Sequence, residues 1–193
     1  MTYSPSNPLK IGVQELPVLG KLQEADVLLF RRPVSVISRV IAKFGRSIYS
    51  HAAIVGWWGL DVMLLESREF AGARVVTLAR GLTGEADVFR CGGMDDCQRA
   101  TVVETMRRLA GAPYGWDAIW HCFLRHVPWA RLFVPSQMDD TLNGHSLHCS
   151  AAVSLAYRMA NMDLVHNKPD FLTEPADLGC SAALDYQFTL VPE

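Results

Sequence analysis

The run Ala25 to Phe30 (Ala-Asp-Val-Leu-Leu-Phe) is continuous enough in apolar residues for a buried strand, and Arg31-Arg32-Pro33 stops it. Val36, Ile37, Val40, Ile41 and Phe44 then recur at helical spacing, with Ser35 placed to cap and Gly45 to terminate, which predicts a helix. Arg39, Lys43 and Arg46 fall on its other face. Such a basic amphipathic helix can pack on a core or rest on a membrane surface, so peripheral membrane contact stays open. Four strand-like runs follow, Ser50 to Trp58, Asp61 to Ser67, Ala73 to Ala79 and Ala86 to Arg90, and the short Gly-containing turns between them predict an antiparallel meander.

From Asp95 to Leu109 the period becomes helical, with Ala100, Val103, Met106, Leu109 and Ala110 on one face and Glu104, Arg107 and Arg108 on the other. Gly111-Ala112-Pro113 ends that segment. Asp117 to Leu124 reads as a short helix, Pro128 to Asn143 as a long loop, Cys149 to Met159 as an apolar helix and Phe188 to Val191 as a closing strand. The first 20 residues hold three prolines and no sustained period, so residues 1–23 are expected to be an arm and residues 24–193 one domain.

A chain of 193 residues, half of them hydrophobic, can bury a core without disulfides or structural metal. The formal charge of -2 lacks the basic footprint of a protein that tracks a phosphate backbone, so nucleic acid is not an expected partner. Five cysteines, at 91, 97, 122, 149 and 180, show no paired spacing, which fits free thiols in a reducing compartment. With no basic-then-apolar N-terminus and no apolar run near 20 residues, a cytoplasmic protein is expected.

Cys149 is the first chemical candidate. His148-Cys149-Ser150-Ala151-Ala152-Val153 passes from a polar loop into an apolar helix, and a helix N-terminus favours thiolate and offers N–H groups to an oxyanion. A small buried hydrophobe is the plainer reading of such a cysteine. His51 opens an apolar strand, an unusual place for an imidazole, and Glu66 near the end of the next strand has the chemistry to accept its second N–H. A sheet-end hydrogen bond for His51 and a solvated position for Glu66 are the alternatives.

The ordered set Ala25-Asp26-Val27-Leu28-Leu29-Phe30, Tyr49-Ser50-His51-Ala52-Ala53-Ile54-Val55, Leu65-Glu66-Ser67, Ala112-Pro113-Tyr114 and His148-Cys149-Ser150 resembles the circularly permuted branch of the NlpC-type papain-like cysteine hydrolases. That branch includes YiiX-like proteins and, more distantly, the lecithin–retinol acyltransferases. Leu172 to Leu178 resembles the segment after the cysteine helix, so the likeness runs from about residue 24 to about residue 180. It implies an α+β papain-like fold in permuted order, with an antiparallel sheet or half-barrel of five or six strands packed on helices and the cysteine at a helix mouth.

It also implies a triad of Cys149, His51 and Glu66, with Tyr114 near the active site to orient substrate or oxyanion; Ser150 and His148, on either side of the cysteine, are further substrate or oxyanion candidates. His148 before the nucleophile and Ala151 after Ser150 depart from the usual pattern and leave the substrate open. The expected reaction is attack on an amide or ester carbonyl of a peptide, amide or acyl-lipid substrate, without cofactor or metal. A lipid-directed acyltransferase or thioesterase on the same triad, and a silent binding module, are the competing readings. A zinc site on His145, His148 and Cys149 lacks paired ligand spacing, and no G-x-S-x-G elbow supports a serine hydrolase. The five tryptophans are core candidates or the lining of a groove for acyl chain or peptide.

Overall fold

The computed structural model describes residues 10–12, 19–31, 47–116 and 147–192. The helices expected at 36–44 and 117–124, the loop at 128–143, Cys122, Trp120, Trp129 and His145 lie outside these residues. The described elements are β1 (Lys10–Gly12), β2 (Val27–Phe30), β3 (His51–Trp58), β4 (Asp61–Arg68), β5 (Gly72–Thr77), α1 (Leu78–Gly81), β6 (Ala86–Cys91), α2 (Asp96–Leu109), α3 (Cys149–Met159), a 3-10 turn (Asp170–Leu172), α4 (Pro175–Gly179) and β7 (Leu184–Val191). The fold is α+β.

The strands form one sheet in the order β1-β7-β6-β2-β3-β4-β5. The six strands β2 to β7 pair antiparallel, as expected, and Lys10–Gly12 in the supposedly irregular arm adds a seventh in parallel to the outer edge of β7. A three-residue strand is too short to show a period of two. The four middle runs are also not one meander: β3, β4 and β5 are, but β6 leaves β5 and pairs with β2 and β7. All four residues of β2 are buried, so the strand needs a neighbour on each edge; β3 takes one and β6 the other.

Both faces of the sheet are covered. Val27, Leu29, Ala52, Ile54 and Leu65 pack with Val102, Val103 and Met106 of α2 and with Cys149, Ala152, Val153 and Tyr157 of α3. The opposite face gathers Leu28, Phe30, Ala53, Val55, Leu64, Val76, Val88, Phe188 and Leu190. Burying a large aliphatic side chain contributes roughly 1.5–3 kcal/mol, so these two clusters are the main favourable term that holds helix to sheet.

Most polar groups inside the core are paired; among the described residues, Arg31 Nη2 and His148 Nδ1 are the buried side-chain atoms left without a partner. The Asp87 carboxylate, fully buried on β6, accepts from Arg31 Nε at 3.0 and 2.9 Å, from the Tyr49 hydroxyl at 2.7 Å and from Thr189 Oγ1 at 2.5 Å. It thereby ties β2, β7 and the approach to β3 together two residues before His51. α2 starts with a capping box: Gln98 N–H donates to Asp95 Oδ1 at 2.7 Å, and Asp95 N–H to Gln98 Oε1 at 3.0 Å.

Candidate active site

His51 and Glu66 meet through strand register. Ala53 pairs with Glu66 across β3 and β4, and His51, two residues before Ala53, shares that face as a diagonal neighbour of Glu66. The imidazole Nε2 and Glu66 Oε2 lie 2.7 Å apart, so the ring donates to the carboxylate. Phe30, paired with His51 from β2, packs its ring at 5.3 Å from the imidazole. The His51 side chain is 12% exposed and that of Glu66 fully buried.

A carboxylate in that position needs more than one partner. Arg74 lies directly opposite Glu66 in the β4–β5 register, and its Nε and Nη2 donate to Oε1 at 2.9 and 2.7 Å. Arg68 Nη1 stands 3.6 Å from the same oxygen. One oxygen therefore serves the guanidinium groups and the other is left to His51, which fixes the carboxylate's rotation. Burial by itself raises the Glu66 pKa, but the His51 bond and charge, then Arg74 and Arg68, outweigh it and hold the acid down to about 2.

Cys149 is the first residue of α3 and is 1% exposed. His148, the residue that precedes the helix, makes no side-chain bond to the helix's first N–H groups. The first N–H groups of a helix are donors that its own turns do not use, and here they lie at the start of the helix that carries the sulfur. Burial lowers the His51 pKa, yet the charge and hydrogen bonding of Cys149, followed by those of Glu66, carry it up to about 9. The imidazole thus interacts with the sulfur and the carboxylate together. With Nε2 committed to Glu66, Nδ1 is the nitrogen left for the sulfur.

The other candidates fare differently. The His148 ring donates from Nε2 to the Thr173 carbonyl at 2.8 Å, and burial, against that bond, keeps its pKa near 4, so it is neutral. Its single ring proton faces Thr173, and among the described residues its buried Nδ1 has no partner, so the neutral ring has no N–H left for the oxyanion role expected of His148. The Ser150 hydroxyl donates to the same carbonyl at 2.6 Å, which leaves its backbone N–H as its contribution at the helix mouth. Tyr114 is 5% exposed, and its backbone bridges Leu147, two residues before Cys149.

Ser150, Ser154 and Arg158 form a stripe at intervals of four along α3. Ser154 Oγ donates to Asp170 Oδ1 at 2.6 Å, and Arg158 Nε donates to Asp170 Oδ2 at 2.6 Å. The approach to the cysteine is pinned from the sheet as well, where Ser67 Oγ donates to the Leu147 carbonyl at 2.6 Å. Arg74, Thr173 and Ser67 were not singled out from sequence. Arg74 had a signal: a hairpin tip at Phe70 pairs position 66 with 74, which sets opposite charges across two strands.

The chain matches no protein-family model and no curated protein. In structure it is similar to the metalloprotein YiiX from Escherichia coli O157:H7, DUF1105, at 16% identity and a TM-score of 0.62, over 86% of this chain and 96% of that one. The fold is YiiX-like.

Proposed function

We propose that this chain is a cysteine hydrolase, a peptidase or amidase on a circularly permuted papain-like scaffold, that attacks an amide or ester carbonyl. The observation that carries the reading is the imidazole of His51, bonded to Glu66 at 2.7 Å on one side and engaged with the Cys149 sulfur at the mouth of α3 on the other. The reading is supported by the direct His51–Glu66 bond between β3 and β4 and by the effect of Cys149, at the first position of α3, on the same imidazole.

In this mechanism the Cys149 sulfur attacks the carbonyl carbon and a C–S bond forms while the C=O pair moves onto oxygen. The first N–H groups of α3 receive that oxyanion. The protonated His51 gives its proton to the leaving amine or alcohol as the C–N or C–O bond breaks. It then takes a proton from the water, or from an acceptor hydroxyl, that attacks the thioester and releases Cys149. Glu66 holds the ring orientation and supports the imidazolium; it does not take the proton. Hydrolysis and acyl transfer share every one of these steps and differ only in the final acceptor.

The structural neighbour is described as a metalloprotein. Here both Glu66 oxygens are engaged by His51 and Arg74, and among the described residues there is no group of three or more His, Cys, Asp or Glu side chains that could hold an ion. Among the described residues no helix is long and apolar enough to cross a membrane.

Turnover of an activated acyl ester by the purified chain, compared with Cys149→Ala, tests the reading. The variant is expected to lose turnover while its Tm stays within a few degrees, because only one sulfur atom is removed. Undiminished turnover removes Cys149 from the mechanism, and no turnover by the wild-type chain on any amide or ester favours the binding module.

A further inference from the structure

Two large aromatic rings stand together on the surface and connect through Tyr114 to the segment that leads into α3. Phe70 is 85% exposed and Trp116 41% exposed, and their ring centroids lie 5.3 Å apart with the planes tilted by 57°. Trp116 in turn meets the edge of the buried Tyr114 at 5.3 Å, and the Tyr114 backbone bridges Leu147. Leu147 is two residues before Cys149 and is also held by Ser67, the neighbour of Glu66 on β4. A continuous path of contacts therefore joins the exposed pair to the backbone that presents the sulfur.

The placement of Phe70 is costly on its own terms. Its φ is +64°, in the left-handed region where a bulky side chain is disfavoured by roughly 1–2 kcal/mol, and its ring gains little burial in return. The turn that carries it is docked against the loop before Trp116. Ala73 N–H donates to the Ala112 carbonyl at 2.9 Å, and Gly111 N–H donates to the Ala73 carbonyl at 2.8 Å. Gly72 permits this approach, since a Cβ there would stand 2.3 Å from the Ala112 oxygen. The backbone is thus arranged to bring one exposed ring to another, and the fold itself derives little stability from the result.

We propose that Phe70 and Trp116 form a specificity shelf that receives an apolar substituent of the substrate, an alkyl chain or an aromatic side chain lying next to the scissile carbonyl. The inference rests on the hydrolase reading for the identity of that carbonyl. The binding chemistry is the same for both sources: dispersion and water release against two ring faces, with no charge required. The buried Tyr114 links the shelf to the segment before the nucleophile, its ring against Trp116 and its backbone bridged to Leu147.

The test uses Phe70→Asn, because asparagine tolerates the left-handed backbone and removes the ring without straining the turn. Initial rates are measured with 4-nitrophenyl acetate, hexanoate and octanoate. The wild-type ratio of kcat/KM for octanoate over acetate is expected to fall roughly tenfold in the variant, the size of effect that loss of an apolar contact produces. In parallel, calorimetry on the Cys149→Ala chain follows binding of N-octanoylglycinamide, N-acetylphenylalaninamide and N-acetylglycinamide. Tighter binding of either of the first two, weakened by adding Phe70→Asn, supports the shelf and names its source as alkyl or aromatic. An unchanged ester ratio together with equal binding of all three amides overturns the shelf and leaves the hydrolase reading intact. Phe70-dependent binding without turnover of any ester supports the shelf and counts against the hydrolase.

Discussion

Glu66→Gln separates charge from shape at the centre of the candidate site. The buried carboxylate accepts at both ends, from Arg74 through Oε1 and from His51 through Oε2. A glutamine amide has one acceptor end and one donor end, so against a protonated His51 a donor faces a donor whichever way it turns. Breaking a buried pair from one side costs on the order of 3–5 kcal/mol. The Glu66 shift points the same way: from the ordinary 4.5 to about 2 it corresponds to on the order of 3 kcal/mol. Arg74 and His51 stay partly solvated, so about 3 kcal/mol is the expected loss, and for a domain of this size Tm should fall by roughly 6–12 °C.

The pH dependence of that loss has a definite sign. Glu66 is more acidic in the folded chain, so its contribution is complete above the unfolded value near 4.5 and disappears as pH falls toward about 2. His51 is more basic in the folded chain, so its contribution is complete below about 6.5 and is lost as pH rises through about 9. The His51–Glu66 pair enters both contributions, while Cys149 supplies the larger part of the His51 shift, so the two do not simply sum. In Glu66→Gln the Cys149 influence on His51 remains, but the carboxylate's is gone, and the imidazole pKa should drop by roughly 1–2 units. NMR titration of the His51 ring reads this directly, and the alkaline limb of the kcat/KM profile should move to lower pH with it. A His51 that still titrates near 9 in the variant, or a Tm within 2 °C of wild type, would refute the reasoning.

Other expectations can be measured by urea unfolding. Asp87→Asn leaves the Arg31 guanidinium without its anion in a closed environment and should destabilise the chain by roughly 3–5 kcal/mol; a loss under 1 kcal/mol would show that the Arg31, Tyr49 and Thr189 contacts carry little weight. Gly72→Ala should cost roughly 1–3 kcal/mol from positive φ and the Ala112 carbonyl, whereas Gly84→Ala, with open space around it, should change stability by less than about 0.5 kcal/mol. Equal effects at the two glycines would contradict the docking of the β4–β5 turn. Ser154→Ala, which deprives Asp170 of one hydroxyl donor, should cost about 1 kcal/mol. No measurable loss would show that the stripe on α3 does not anchor the helix.

Local pattern determined much of this protein. The apolar runs at 25–30, 50–58 and 61–67, and the helical periods at 95–109 and 149–159, sit close to the observed elements, because burial of a strand or a helix face writes its own spacing into the chain. The cysteine at a helix start and the histidine at a strand start were legible for the same reason. What sequence did not give was pairing: β6 beside β2, the short parallel β1 on β7, and the two arginines that share Glu66. Neighbours across a sheet are chosen by which faces and edges remain open once the whole chain packs, and no local spacing encodes that choice. His148 shows the same limit at the scale of one ring, since only the folded chain brings Thr173 to its N–H and leaves it a buried acceptor in place of a donor to the oxyanion.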